Sequence, residues 1–277
     1  MDWKYYNQGM LPTTAPHETP DMTPILDGSI WNPGGGRKPL LARWTTEYDC
    51  GYETGWWYCI KDTPFELDAL NSKTRYKINK AYKKFESREI DPVEYVEDII
   101  RVQAAAWAVY PESYRPKSDP DAIRRNAEKW RTQYRSFGAF CLEDGKMAGY
   151  ALLTEYDTWV DFTVLKADPA YERRGVNVAL VGKLCEFYSD RIKNEGYYIS
   201  EGERNIIHET SFQAFLAEKY DFRRAYCKLN IIYRKPIGLA VKILYPFRGL
   251  ISKMKNHSLM KKIDAILLME SICRGQR

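Results

Sequence analysis

The sequence predicts an α+β protein with a mixed, largely antiparallel sheet flanked by helices. Three observations predict it. The 277 residues suffice for a buried core, and the 44% hydrophobic and 29% charged composition is that of a globular chain. The apolar period is 3.6 between about residues 63 and 135 and becomes 2 soon after. From Phe85 onward the element order reads β-α-α-β-β-β-α-β-α-β, which a purely parallel sheet does not produce.

Residues 1–36 are rich in Pro, Thr and Gly and end in Asn32-Pro33-Gly34-Gly35-Gly36, which predicts a poorly ordered arm or long loop. Aromatic and β-forming residues cluster from Leu40 to Ile60 and predict one or two strands. Trp56 and Trp57 suit either core packing or a ligand platform. Thr63-Pro64-Phe65-Glu66 has the form of a capped helix start. Leu67, Leu70, Thr74, Ile78, Ala81 and Phe85 would form one face of that helix. Lys73, Arg75, Lys77, Lys80, Lys83 and Lys84 fall elsewhere on it, as a solvated face or a phosphate-binding one. Asp91-Pro92-Val93-Glu94 opens a second amphipathic helix and Asp119-Pro120 a third. Asp144-Gly145 is a favoured hairpin turn between Phe140–Leu142 and Met147–Thr154. A strand follows over Thr158–Leu165, then a helix from Val176 to Lys193 with Gly196 past its end. Strand Tyr197–Glu201, a helix capped at Thr210-Ser211-Phe212-Gln213 and strand Phe222–Tyr233 complete the series.

Charge is uneven. Residues 231–277 carry ten Lys/Arg and two Asp/Glu, a net of +8, while the rest carries 32 bases and 35 acids. A local basic element fits this better than a DNA-binding protein. The tail reads as two amphipathic helices with basic faces, suited to an anionic membrane surface, to packing on its own domain, or to a homodimer contact. MDWKYYNQGM lacks a secretory pattern, no apolar run is long enough to span a bilayer, and the six cysteines form no C-x-x-C. The expected location is the cytoplasm, or the inner membrane face as a peripheral protein. No metal is expected.

The chemistry is concentrated in Leu165-Lys166-Ala167-Asp168-Pro169-Ala170-Tyr171-Glu172-Arg173-Arg174-Gly175-Val176-Asn177-Val178. A strand ends, two arginines and a glycine follow, and a helix starts at once. The first amides of that helix have no internal partners, and together with the guanidinium groups they form a diphosphate cradle. Asp161 sits on the preceding strand, where strict alternation puts it on one face with Trp159, Thr163, Leu165 and Ala167. A carboxylate among apolar neighbours is a candidate general base. His208 is a second candidate, matched to deprotonating a hydroxyl near neutral pH. Glu201 borders the place where an acceptor would enter. Cys185 and Cys227 fall inside elements and are poor nucleophile candidates.

In this element order the stretch resembles the acyl-CoA-binding motif of the GCN5-related N-acetyltransferases, the GNAT fold. Ala167-Asp168-Pro169 stands at that motif's V-x-P, and Gly175 stands at its first glycine. Glu172 and Asn177 depart from it. Glu218-Lys219-Tyr220-Asp221-Phe222 resembles the closing E-K-x-G-F turn, and Ala217 stands where the family's thiolate-protonating tyrosine usually lies. The resemblance covers about residues 63–234, leaving 1–62 as an N-terminal extension with aromatic strands and 235–277 as a basic helical tail. It implies acetyl-CoA or another acyl-CoA as co-substrate, held by residues 165–167 and 173–178. The acceptor would be an amine or hydroxyl of a small molecule or glycan precursor. Arg75-Tyr76-Lys77-Ile78-Asn79-Lys80-Ala81 also looks like the FemAB aminoacyltransferases, which implies charged tRNA as the alternative donor. The chain has the general look of acyltransferase-like proteins from bacterial surface-polysaccharide gene clusters. A non-catalytic GNAT-fold binding protein is the remaining alternative.

Overall fold

The computed structural model describes residues 2–112, 115–206, 211–254 and 258–276. The chain divides into two compact units, each discontinuous in sequence. One comprises Met1–Cys59, Glu203–Ser211 and Arg224–Arg277; the other comprises Ile60–Gly202 and Phe212–Arg223.

In the first unit the N-terminal residues form a hairpin, β1 (Trp3–Tyr6) and β2 (Gly9–Pro12), then a short helix α1 (Thr23–Leu26). Strand β2 runs parallel to β3 (Leu41–Thr46), and β3 is antiparallel to β10 (Arg223–Tyr233). The expectation of a poorly ordered arm is therefore corrected. Trp3, Met10 and Ile30 are buried with Ala42, and the Trp3 indole donates to the Asp21 carbonyl at 2.8 Å. A few large apolar side chains anchor the segment despite its Pro/Gly content.

Strand β4 (Trp56–Lys61) starts in this unit. Trp56 is buried beneath the Arg43 guanidinium, so core packing is its role. The tail forms α8 (Lys235–Leu244), a 3-10 turn (Tyr245–Phe247), α9 (Arg248–Ile251) and α10 (Ser258–Gly275). Val241, Ile251 and Leu267 pack together there.

The second unit carries β5 (Phe85–Glu89), β6 (Arg135–Cys141), β7 (Met147–Glu155), β8 (Trp159–Ala167) and β9 (Tyr198–Glu203), side by side in the order β9-β8-β7-β6-β5. The pairs from β5 to β8 are antiparallel, whereas β8 and β9 are parallel. Helices α3 (Val96–Ala108) and α4 (Pro120–Gln133) cover one face, burying Ile99, Val102 and Ile123 against Tyr150 and Leu152. Helix α6 (Val176–Glu195) covers the other, where Val176 lies beside Gly149. The mixed α+β fold and the element order expected from the sequence are both present.

The helix expected from Thr63 begins later. Asn71 caps α2 (Ser72–Tyr82), its side chain accepting from the Thr74 amide at 2.9 Å. Thr63 turns its hydroxyl to Lys61 instead, at 3.1 Å. Thr74, Ile78 and Ala81 are the buried residues of α2, and Phe85 belongs to the next strand. Asp91 likewise caps a turn at Val93, and the following helix starts at Val96. Asp119 does cap α4, accepting from the Ala122 amide.

Candidate functional site

Strands β8 and β9 pair over three rungs only, Trp159↔Tyr198, Val160↔Ile199 and Asp161↔Ser200. Beyond Asp161 strand β8 continues for six residues, to Ala167, without β9 beside it. The result is a fork. The main-chain polar groups of 162–167 that point away from β7 open onto it. The β7–β8 register slips inside the same stretch: Leu152 pairs with Val164 but Leu153 with Phe162, so Thr163 is the extra residue of a bulge.

The bulge overturns the strict alternation read from the sequence. Residues opposite one another in a ladder share a face. Asp161 lies opposite Thr154, and Val164 and Lys166 lie opposite Leu152 and Tyr150, on the α3 side. Leu165 and Ala167 lie opposite Ala151 and Gly149, on the α6 side. Asp161 therefore does not share a face with Leu165 and Ala167, because the inserted Thr163 reverses every side chain after it.

Past the end of β8, Asp168 caps the single turn α5 (Pro169–Glu172) through the Ala170 amide and lies 3.9 Å from Arg101. Gly175 then has φ +100°, a left-handed conformation that suits glycine. A Cβ there would stand 3.2 Å from Ala81, so α2 lies against the loop. The Arg174 and Gly175 amides already donate to the carbonyls of Tyr171 and Glu172, both at 3.0 Å. The amides of Val176, Asn177 and Val178, in the first turn of α6, have no intrahelical acceptor. Asn177 Oδ1 is buried there with no donor. The three amides, as donors, could hold an anion; the Asn177 oxygen, an acceptor, could not.

The two arginines separate. Arg173 and Glu172 are exposed, whereas the Arg174 guanidinium donates to Glu143 at 2.5 Å and to the Cys141 sulfur at 3.3 Å and lies over the Tyr171 ring. Lys166 donates to the Tyr110 hydroxyl at 3.0 Å on the α3 side.

Glu201 lies one residue past the last rung, on the face opposite Asp161. It accepts from Gln213 of α7 (Ser211–Tyr220) at 2.5 Å. Burial pushes its carboxyl above the usual carboxylate range, and the Gln213 bond only partly opposes this. Phe162 contacts Phe212 of the same helix and Phe222 beyond it, which makes this side of the fork apolar. His208 lies outside the described residues. Tyr220 is fully buried and its hydroxyl donates to the Val178 carbonyl. Cys185 is buried on α6, its thiol pushed up to about 12 by desolvation.

A cavity of ≈ 500 Å³ lies elsewhere in this unit, lined by Lys61, Thr63, Asn71, Thr74, by Ala217, Glu218 and Lys219 near the end of α7, and by Asp221 just past it. Sequence reading missed Lys61, which is 2% exposed and forms no ion pair among the described residues. Burial pushes its ammonium below the ordinary lysine pKa. A lone lysine in a run of strand residues carries no signal of its depth.

Among the described residues no group of three or more His, Cys, Asp or Glu side chains is placed to hold a metal ion. No helix among them is long and apolar enough to cross a membrane.

No family model matches the chain, and no curated protein does. Solved structures do. The L-PGS of Bacillus licheniformis is similar over 98% of this chain and 85% of its own, at 14% identity and a TM-score of 0.52. The C-terminal (DUF2156) domain of an Agrobacterium fabrum protein assigned as a lysylphosphatidylglycerol synthetase covers 87% of this chain and 82% of its own, at 11% identity and a TM-score of 0.52. At such identities the likeness concerns the fold, and the chain has a GNAT-like one.

Proposed function

We propose that the protein is an acyltransferase working at the β8–β9 fork, with an acyl-CoA as donor. The acceptor is an amine or hydroxyl of a small molecule or glycan precursor. The observation that carries this reading is the fork itself, which opens at Asp161/Ser200 next to the strand–loop–helix with free amides at Val176–Val178. The diphosphate would lie on those amides, with the pantetheine along 165–167 and Arg173 adding charge from the solvent side. The acceptor's nitrogen or oxygen attacks the thioester carbonyl. A C–N or C–O bond forms, the C–S bond breaks, and a thiolate leaves.

Three tasks follow, and each has a candidate. Asp161, at the vertex, takes the proton of the nucleophile. The unpaired main-chain N–H groups of 162–167 stabilise the oxyanion. Glu201, whose carboxyl burial holds above the ordinary range, protonates the thiolate, since Ala217 supplies no hydroxyl and Tyr220 is bonded to Val178.

Calorimetry with acetyl-CoA and longer acyl-CoAs tests the donor, and transfer to a panel of amino sugars tests the reaction. Asn177→Asp puts a carboxylate beside the diphosphate and should weaken CoA binding at least tenfold. Asp161→Asn and Glu201→Gln should each lower turnover by about 10²-fold or more with CoA affinity unchanged. With Glu201 as acid, turnover falls as pH rises through its raised pKa, and Glu201→Gln abolishes that limb. Absence of saturable CoA binding refutes the donor.

A second reading has its own support. Lys73, Lys77, Lys80 and Lys83 are all exposed along α2 and its end, beside the equally exposed Tyr76. This surface suits an RNA backbone and favours aminoacyl-tRNA as donor. One of the similar structures is named for a lysylphosphatidylglycerol synthetase. tRNA binding without CoA binding, weakened by Lys77→Glu/Lys80→Glu, selects this reading. Failure of both donors leaves a GNAT-fold binding protein.

A further inference from the structure

Segment 235–254 has two apolar faces. The inner one is satisfied: Val241 and Ile251 are buried with Leu267 of α10, and Ile237 and Leu244 pack on that cluster. The outer one is not. Leu239, Ile243, Phe247 and Leu250 are 57–62% exposed, and Met254 follows at 48%. Their spacings of 4, 4, 3 and 4 residues keep one side of a helix through α8, the 3-10 turn and α9. The stripe from Leu239 to Leu250 is about 16 Å long at helical rise.

Charge decides what covers it. Residues 235–254 contain Lys235, Lys242, Arg248 and Lys253 and no Asp or Glu, and all four cations are exposed. A second copy of the chain docking this face on itself would bring four positive charges against four more. A protein partner's interface core is usually poor in charge. An apolar stripe bordered by cations alone instead matches a bilayer surface, where side chains enter the acyl boundary and lysines remain among anionic headgroups.

We infer that segment 235–254 docks on an anionic lipid surface, lying in its plane, with Leu239, Ile243, Phe247 and Leu250 inserted. The unit holding it needs no spanning helix for this. Each cation near an anionic leaflet strengthens partitioning roughly fivefold, and added salt weakens that part. The inference is independent of the donor proposed for the fork.

The test is sedimentation of the full chain with vesicles of phosphatidylcholine alone and of three parts phosphatidylcholine to one of phosphatidylglycerol. Binding to the anionic vesicles should exceed binding to the neutral ones at least tenfold and fall with salt. Ile243→Glu/Phe247→Glu should lose at least tenfold in partitioning while circular dichroism and Tm stay unchanged, because both side chains already face solvent. Lys242→Glu/Arg248→Glu should weaken binding to anionic vesicles only. Equal binding to both vesicle types, no binding, or unchanged partitioning of Ile243→Glu/Phe247→Glu overturns the inference. A dimer in sedimentation velocity that this variant dissociates overturns it in favour of a self-interface.

Discussion

Helix α2 meets α6 at a place where only glycine fits, and the contact sets up a sharp double-mutant test. A Cβ built on Gly182 would stand 2.4 Å from the Tyr82 hydroxyl oxygen and 3.2 Å from the ring carbon bearing it. That hydroxyl donates to Glu186 at 2.8 Å. Gly182→Ala gains about 1 kcal/mol of helix propensity. It must also push the hydroxyl aside, and a hydrogen bond to a charged group contributes about 1.5–3 kcal/mol. The net expectation is a loss of roughly 1–2 kcal/mol once the shifted ring is included.

Tyr82→Phe removes the clashing oxygen. In that background the remaining ring contacts are tight but can yield by a few tenths of an ångström, so Gly182→Ala should be near neutral or stabilising. Urea denaturation of the four proteins measures the coupling, expected at about 1 kcal/mol or more in the sense that the double variant is less damaged than the sum. Additive effects within about 0.4 kcal/mol would refute the reasoning, because they would mean that hydroxyl and methyl never compete for one space.

Two further outcomes follow from buried side chains. Lys61→Met keeps most of the length of the side chain and removes a buried ammonium that, among the described residues, donates only to Thr63; it should raise stability by about 1–3 kcal/mol at pH 7. Burial lowers the folded-state pKa below that of the unfolded chain, so the cost is fully present below the folded value. It fades as pH rises toward 10.5, and the advantage of Lys61→Met in urea melts should shrink over that window; an advantage constant to pH 10.5 would contradict this. Trp3→Ala deletes a side chain that is 5% exposed and edge-on to Trp44 at 6.3 Å between ring centroids. A loss of about 3 kcal/mol is expected, and a loss below about 0.5 kcal/mol would mean that the N-terminal hairpin does not belong to the folded unit.

The sequence was most legible where the signal is local. Asp144-Gly145 turned the β6–β7 hairpin, Asp119 capped α4, and Gly196 ended α6 in the left-handed conformation. Each depends on a side chain or a φ angle within a few residues. The resemblance in 165–178 also located the strand–loop–helix correctly, because a glycine between strand and helix imposes a turn whatever surrounds it. The capping signal at Thr63 misled: the nearby Lys61 ammonium engages its hydroxyl, and the helix starts only at Ser72, capped by Asn71.

By itself, then, the sequence determined the periods, the turns, the order of elements and the concentration of positive charge in the tail, since these follow from composition and short-range geometry. Only the tertiary structure decided which face each side chain took. One unpaired residue, Thr163, separates Asp161 from Leu165, and Arg174 turns to Glu143 although it neighbours the free amides. It also decided that the tail's inner stripe is covered and its outer stripe is not. Register, counter-ion choice and burial are settled by partners distant in the chain, and a hydrophobic pattern has no means of naming them.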